Sequence, residues 1–374
     1  MTREQLDEVL KANPNLKAVP TPDAGSFRAT FPAKFEKAVK DFNKFSALES
    51  DPKTPFENKY KARKIFEDLL GQLLIGRVGY SQSGGHGDSK EVKAAFVEEL
   101  GGMQAKMEML LGENYYDTEE TSRGYDYLCR SVEWYCPTSA KPDKLFSSSH
   151  TFPDTDLFRM RRHAADVIHN LNLLGAIKHG RGDSDEAVAV LRKTDDFFQE
   201  FVEWAEGVPS AVETEAKSIA TAASARPSKA TIRAATEKNV YTCFFLAAVF
   251  QSRNEPSRSA LYCKRTLDKQ YLEQISYIPE EYITNINGIV DYFLGAGGSL
   301  LSAAHAWLWI AKEIIRRIKK TRSTDGPVSA EQSRLDEKRE AEWHRRSALV
   351  RLNTFRIRRS ELIGHPAGTY VAHF

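Results

Sequence analysis

LLGENYYDTEETSRGYDYLCRS, Leu110–Ser131, carries the spacing on which the fold depends. Leu111-Gly112 is followed, across a polar stretch, by Gly124 and Leu128, at thirteen and seventeen residues from Leu111. Side chains set how closely two helices can approach, so a small residue on each side of a turn lets antiparallel helices cross tightly. A leucine one turn further on then fills the space beside the crossing.

The spacing recurs. Leu174-Gly175 leads to Ala187 and Leu191, Leu246-Ala247 to Ser259 and Cys263, and Ile289 to Ser302 and Ala306. Repetition of this kind predicts an all-α protein, a superhelical array of antiparallel helix pairs of tetratricopeptide-like, α-solenoid type. The leucines do not recur at a constant interval, which predicts insertions between pairs. Upstream, Phe35, Ala38, Val39, Phe42 and Phe45 form one apolar stripe, and Ala62, Ile65, Phe66, Leu69, Leu70 and Leu73 form another. The proline-containing ESDPKTPFEN between them reads as the turn of a further hairpin. At the turns, Asp117 with Glu120 and Asp183 with Glu186 read as capping boxes, and Asn254 as a cap ahead of Pro256 in the tolerated first turn.

Composition and turn chemistry set the expected organisation. An N-terminal segment at 1–30 precedes a helical array at 31–315, with loop insertions near 78–91, 136–156 and 207–236. A basic tail at 316–374 follows, partly disordered or forming a capping helix. With 41% hydrophobic and 28% charged residues among 374, the chain can bury a sizeable core. Its net charge of +2 points to no partner class. Cys129, Cys136, Cys243 and Cys263 are scattered without a CxxC pair, as expected of buried thiols in a reducing compartment. The charged, amphipathic N-terminus lacks a secretory signal pattern, so a cytoplasmic address is expected. Phe293–Ala311 carries no formal charge and has a basic flank, as a membrane span would. Its GAGG interruption, His305 and its place in the helix-pair pattern argue for a helix pair instead.

Four blocks resemble the KIF-binding protein family. They are DPKTPFENKYKARKIFEDL, LLGENYYDTEETSRGYDYL, NLNLLGAIKHGRGDSDEAVAVL, and VYTCFFLAAVFQ running on to ALYCKRTLDKQ. They occur in the family's order across roughly Phe31 to Ile310. The resemblance implies a cytoplasmic, cytoskeleton-associated, non-enzymatic protein whose curved helical array binds kinesin motor domains and blocks their microtubule attachment. It also implies partner contacts at Phe245, Ala248, Gln270, Gly288 and Asp291. Gln270 matches the family position and Phe245 is aromatic, as in the family, whereas Ala248, Gly288 and Asp291 stand where longer neutral polar or hydroxyl side chains are expected. Further helix pairs follow in the family, so this chain is expected to supply only the first part of a motor embrace. Leu111, Gly112, Gly124, Leu174, Gly175, Ala187, Leu246, Ala247, Ser259, Ile289 and Ser302 are expected to serve packing between paired helices.

No cofactor, metal site, nucleic-acid partner or membrane partner is expected. GGHGDSK lacks phosphate-loop spacing, and His163 and His169, six residues apart, fall on opposing helix faces. HExxH and GxSxG are absent. RRSALVRLNTFRIRR, Arg345–Arg359, has six arginines and no acid; it suits either an anionic surface or an amphipathic helix closing the end of the array. The competing functional reading is a general tetratricopeptide adaptor that captures a peptide or helix; it needs converging cations, of which the first helices offer few, Lys106 and Lys178 among them.

Overall fold

The computed structural model describes residues 24–48, 51, 53–82, 89–207, 227–272, 279–296, 304, 307–312, 314–316 and 330–364. Every regular element among them is helical. The chain divides into two compact units, Met1–Ala235 and Thr236–Phe374.

In the first unit α1 (Ala24–Ser46) packs on α2 (Glu57–Gln82), α3 (Lys90–Asp117) on α4 (Thr121–Tyr135), and α7 (Ala164–Gly180) on α8 (Ser184–Glu206). The one-turn α5 (Pro142–Leu145) and α6 (Asp154–Arg162) lie between α4 and α7 in the chain. Successive hairpins pack in order, α2 against α3 and α4 against α7. In the first hairpin the Phe42 and Phe66 rings meet at 4.5 Å, on the two stripes expected to face each other. Leu111, Leu128, Leu174 and Leu191 are fully buried, each worth about 1.5–3 kcal/mol of apolar transfer.

The small residues sit where paired helices touch. A Cβ on Gly112 would lie 2.6 Å from Leu128 Cγ, and one on Gly124 would lie 2.9 Å from the Gly112 carbonyl oxygen. A Cβ on Gly175 would come within 2.6 Å of Leu191 Cγ, and Ala187 is wholly buried. Glycine is needed at these points because the leucine that fills the crossing leaves no room for a methyl group.

The carboxylates at the turns behave differently from the capping reading. Asp117 ends α3 and pairs with Lys59; α4 begins at Thr121, and neither it nor α8 has a side-chain cap bond. Glu120 pairs with Arg63 at 2.6 Å, while Asp183 and Glu186 both turn to Lys178, at 3.5 and 2.5 Å. A cation outcompetes a neutral amide for a carboxylate, so these acids bind cations, from α2 at the first turn and from the end of α7 at the second. Asn254 likewise does not cap α10: it adopts φ 57° in the turn before Glu255.

That conformation is common to the three turns. Glu119 (φ 66°), Gly182 (φ 89°) and Asn254 each stand five residues ahead of the small crossing residues Gly124, Ala187 and Ser259. Each amide bonds back three residues, to Tyr116, His179 and Gln251, and the next amide bonds to Tyr115, Lys178 and Phe250. These are Schellman closures, in which a left-handed residue satisfies the last carbonyls of the first helix.

The second unit contains most of α9 (Lys229–Ser252), then α10 (Pro256–Leu272), α11 (Pro279–Ala296), helical residues at 307–312 and 314–316, and α12 (Ala330–Gly364). α9 starts within the stretch read as linker: Ser228 Oγ accepts from the Thr231 amide at 3.1 Å, and good helix formers follow. α12 lies in the basic tail expected to be partly disordered or a capping helix; its burial comes from contacts distant in the chain. The GGHGDSK loop at 84–90 and Ser302 lie wholly or mainly outside the described residues.

Candidate partner-binding surface

The residues implied as partner contacts all fall in the second unit, on α9, α10 and α11. α9 and α10 close on each other through Ser259, whose Oγ donates to the Ala247 carbonyl at 2.9 Å, and through stacked Phe250 and Tyr262 rings at 5.6 Å. Leu246 is fully buried and Ala247 nearly so. This packing leaves Phe245 and Ala248 half-buried on the same helix. α10 approaches α11 as closely: a Cβ on Gly288 would meet Cys263 Sγ at 3.1 Å, and Ile289 is buried.

Two positions differ sharply in access. Gln270 is 3% exposed, and its Oε1 has no hydrogen-bond partner among the described residues. Such a side chain shapes the surface above it and meets a partner only if the hairpin opens. Asp291 is half-exposed but engaged. Arg346 of α12 donates to it in a forked pair, Nε to Oδ1 at 3.1 Å and Nη2 to Oδ2 at 2.9 Å. Arg346 itself is 9% exposed and is also held by Glu342 on its own helix. Three residues earlier, Trp343 Nε1 donates to the Leu308 carbonyl at 2.8 Å, and Lys312 Nζ lies 5.1 Å from the indole. Val350 is fully buried. The first part of the arginine-rich segment is therefore a docked helix, and no local pattern pointed to Asp291 as its acceptor, because 55 residues separate the partners.

The first unit contains a cleft of about 570 Å³ between α1, α3, α6 and the start of α7. Arg159 lies 4.8 Å from the Trp134 ring and pairs with Glu98 at 3.1 Å, while Arg162 covers the exposed Phe158 at 4.2 Å. His163 packs edge-on to Trp134, and its burial lowers its pKa.

Several described groups with catalytic chemistry are tied into the framework. Ser139 Oγ donates to Asp156 Oδ2 at 2.7 Å, so its proton points away from His150 Nε2 at 3.1 Å, and Ser139 is fully buried. Lys193, pushed down to about 8 by burial, donates to the carbonyls of Lys144 and Leu145 and closes α5. Burial pushes the Cys263 thiol up to about 11, which suppresses the reactive thiolate. His169 Nε2 lies 3.0 Å from Glu113. Among the described residues no group of His, Cys, Asp and Glu could hold a metal ion, and no helix is long and apolar enough to cross a membrane.

Among the described residues the fold is a set of closely crossed helical hairpins, with Phe245, Ala248 and Asp291 accessible in the second unit and Gln270 buried. Two curated relatives are similar to it, both called KIF-binding protein. The one from Gallus gallus is 26% identical over 258 residues, covering 67% of this chain and 36% of the relative. That from Danio rerio is 24% identical over 277 residues, covering 67% of this chain and 39% of the relative. The chain thus spans well under half the length of the relatives it matches. No family model matches it, and no solved structure does.

Proposed function

We propose that this chain is a non-enzymatic protein that binds kinesin motor domains and lowers their attachment to microtubules, acting in the cytoplasm at the cytoskeleton. The observation that carries the reading is its similarity to two KIF-binding proteins over 67% of its length. Closely crossed hairpins support it by holding side chains of α9, α10 and α11 in fixed positions. Phe245, Ala248 and Asp291 are the contacts we assign on that surface, Gly288 permits the close approach of α11, and Gln270 is buried on α10.

The competing adaptor reading requires free cations to grip a peptide carboxylate. Lys106 is paired with Asp166, and Lys178 with Asp183 and Glu186, so both are already committed. Motor binding is the better reading.

The test is co-sedimentation of several classes of kinesin motor domain with microtubules, with and without the chain. The expected outcome is a dose-dependent loss of at least one motor class from the pellet, weakened roughly tenfold by Phe245→Ala, as for an aromatic anchor. Unchanged sedimentation of every class, together with no capture in a pull-down, would overturn the proposal.

A further inference from the structure

We propose that α12 is an internal occupant of the surface around Asp291, and that a partner using this surface must first displace it. The inference rests on the motor-binding reading and adds a built-in competitor to it.

The argument begins with how α12 is held. Among its described side chains the buried ones are Asp336, Arg346, Ser347 and Val350, three polar and one apolar. On α7 the buried set includes Val167, Ile168, Leu171, Leu173, Leu174 and Ile177. Apolar burial dominates cohesion, so α7 belongs to the permanent core, whereas the described side chains of α12 are held mainly through polar groups. Among these contacts are the Arg346–Asp291 fork and the Trp343–Leu308 bond, with Ile283, Ile314, Ile315 and the Trp343 ring clustered beside them.

Position supplies the second part. Asp291 is the one charged residue among the assigned contacts, and its half-exposed carboxylate accepts both arms of the guanidinium. The fork fills one acceptor site on each oxygen and offsets the charge, so a partner cation meets the full carboxylate only once Arg346 has left. Occupied and vacant states of this surface are then two positions of one helix. Apparent affinity falls by the fraction of molecules in which α12 is displaced.

The test compares the full chain with its Arg346→Gln and Trp343→Phe variants, reading affinity for a kinesin motor domain and amide hydrogen exchange across 340–350. Arg346→Gln should bind roughly tenfold tighter, with faster exchange in that segment, because the competent fraction rises. Trp343→Phe keeps an aromatic ring and removes one hydrogen bond, so it should give a smaller gain in the same direction. It carries the test if Arg346→Gln fails to fold. Faster exchange with unchanged or weaker affinity overturns the inference and makes α12 an end cap or part of the docking platform. Unchanged exchange also overturns it, since the contacts then do not hold the helix. Binding by no form of the chain removes the motor reading itself, a result distinct from equal binding by all three.

Discussion

Glu119 shows how a single backbone angle can matter more than a side chain's charge. It holds the left-handed position of the first Schellman turn, where the other two turns place Gly182 and Asn254. A Cβ in that conformation costs on the order of 1 kcal/mol, and Glu119 is exposed, so Glu119→Gly should stabilise the chain by about 0.5–1 kcal/mol in chemical denaturation. The glycines at crossings have the opposite sensitivity. Gly112→Ala would press a methyl against Leu128 and should cost about 1–3 kcal/mol, whereas Gly180, with no atom within 4 Å of an added Cβ, should accept alanine without loss. Glu108 adds a pH signature. It is 4% exposed, and burial raises its pKa to about 7, with Gln104 and nearby cations opposing the shift only in part. The folded state therefore holds a proton that the unfolded chain releases above about 4.5, so stability falls as pH rises from about 4.5 to 7. Glu108→Gln should flatten that decline and gain about 1–3 kcal/mol at pH 8, while making little difference at pH 4.

At the scale of elements, α2 explains why two sequence blocks far apart in the chain act together. Lys59, Arg63 and Glu67 recur every four residues along it and meet the α3–α4 turn. Arg63 donates to Asn114 Oδ1 at 3.0 Å, to Glu120, and to Thr118 Oγ1, while lying 3.7 Å from the Tyr115 ring centre. Tyr115 in turn donates to Glu67 at 2.6 Å, and Asn114 donates to the Lys59 carbonyl at 2.9 Å. Arg63→Ala should cost about 2–4 kcal/mol, since it leaves the buried Asn114 and Thr118 groups short of a donor; thermal unfolding would measure it. The DTEE sequence looked like a helix start because acids favour first turns. Its carboxylates instead receive α2, and only the packing of one hairpin on the next could reveal that.

For the molecule as a whole, the division into two units has a direct consequence. The first unit has its own buried core, from Phe31 and Phe66 through Leu111 and Leu174 to Phe201. A fragment spanning residues 24–207 should therefore fold alone, with helical circular dichroism and a cooperative melt; a featureless melt would show that it needs the rest of the chain. The same fragment lacks every assigned contact, so it should leave motor sedimentation unchanged.

What the residues determined unaided was local and periodic. Helix character follows from apolar spacing, and the pairs at 111–128, 174–191 and 246–263 follow from where side chains are small, because steric exclusion acts between neighbours at a fixed offset. Tertiary structure alone decided which groups of opposite charge found each other. Lys59 with Asp117, Arg63 with Glu120 and Arg346 with Asp291 are 58, 57 and 55 residues apart. Coulombic attraction acts through space and has no sequence period, so an arginine-rich helix could be recognised in the chain while the carboxylate that holds it could not.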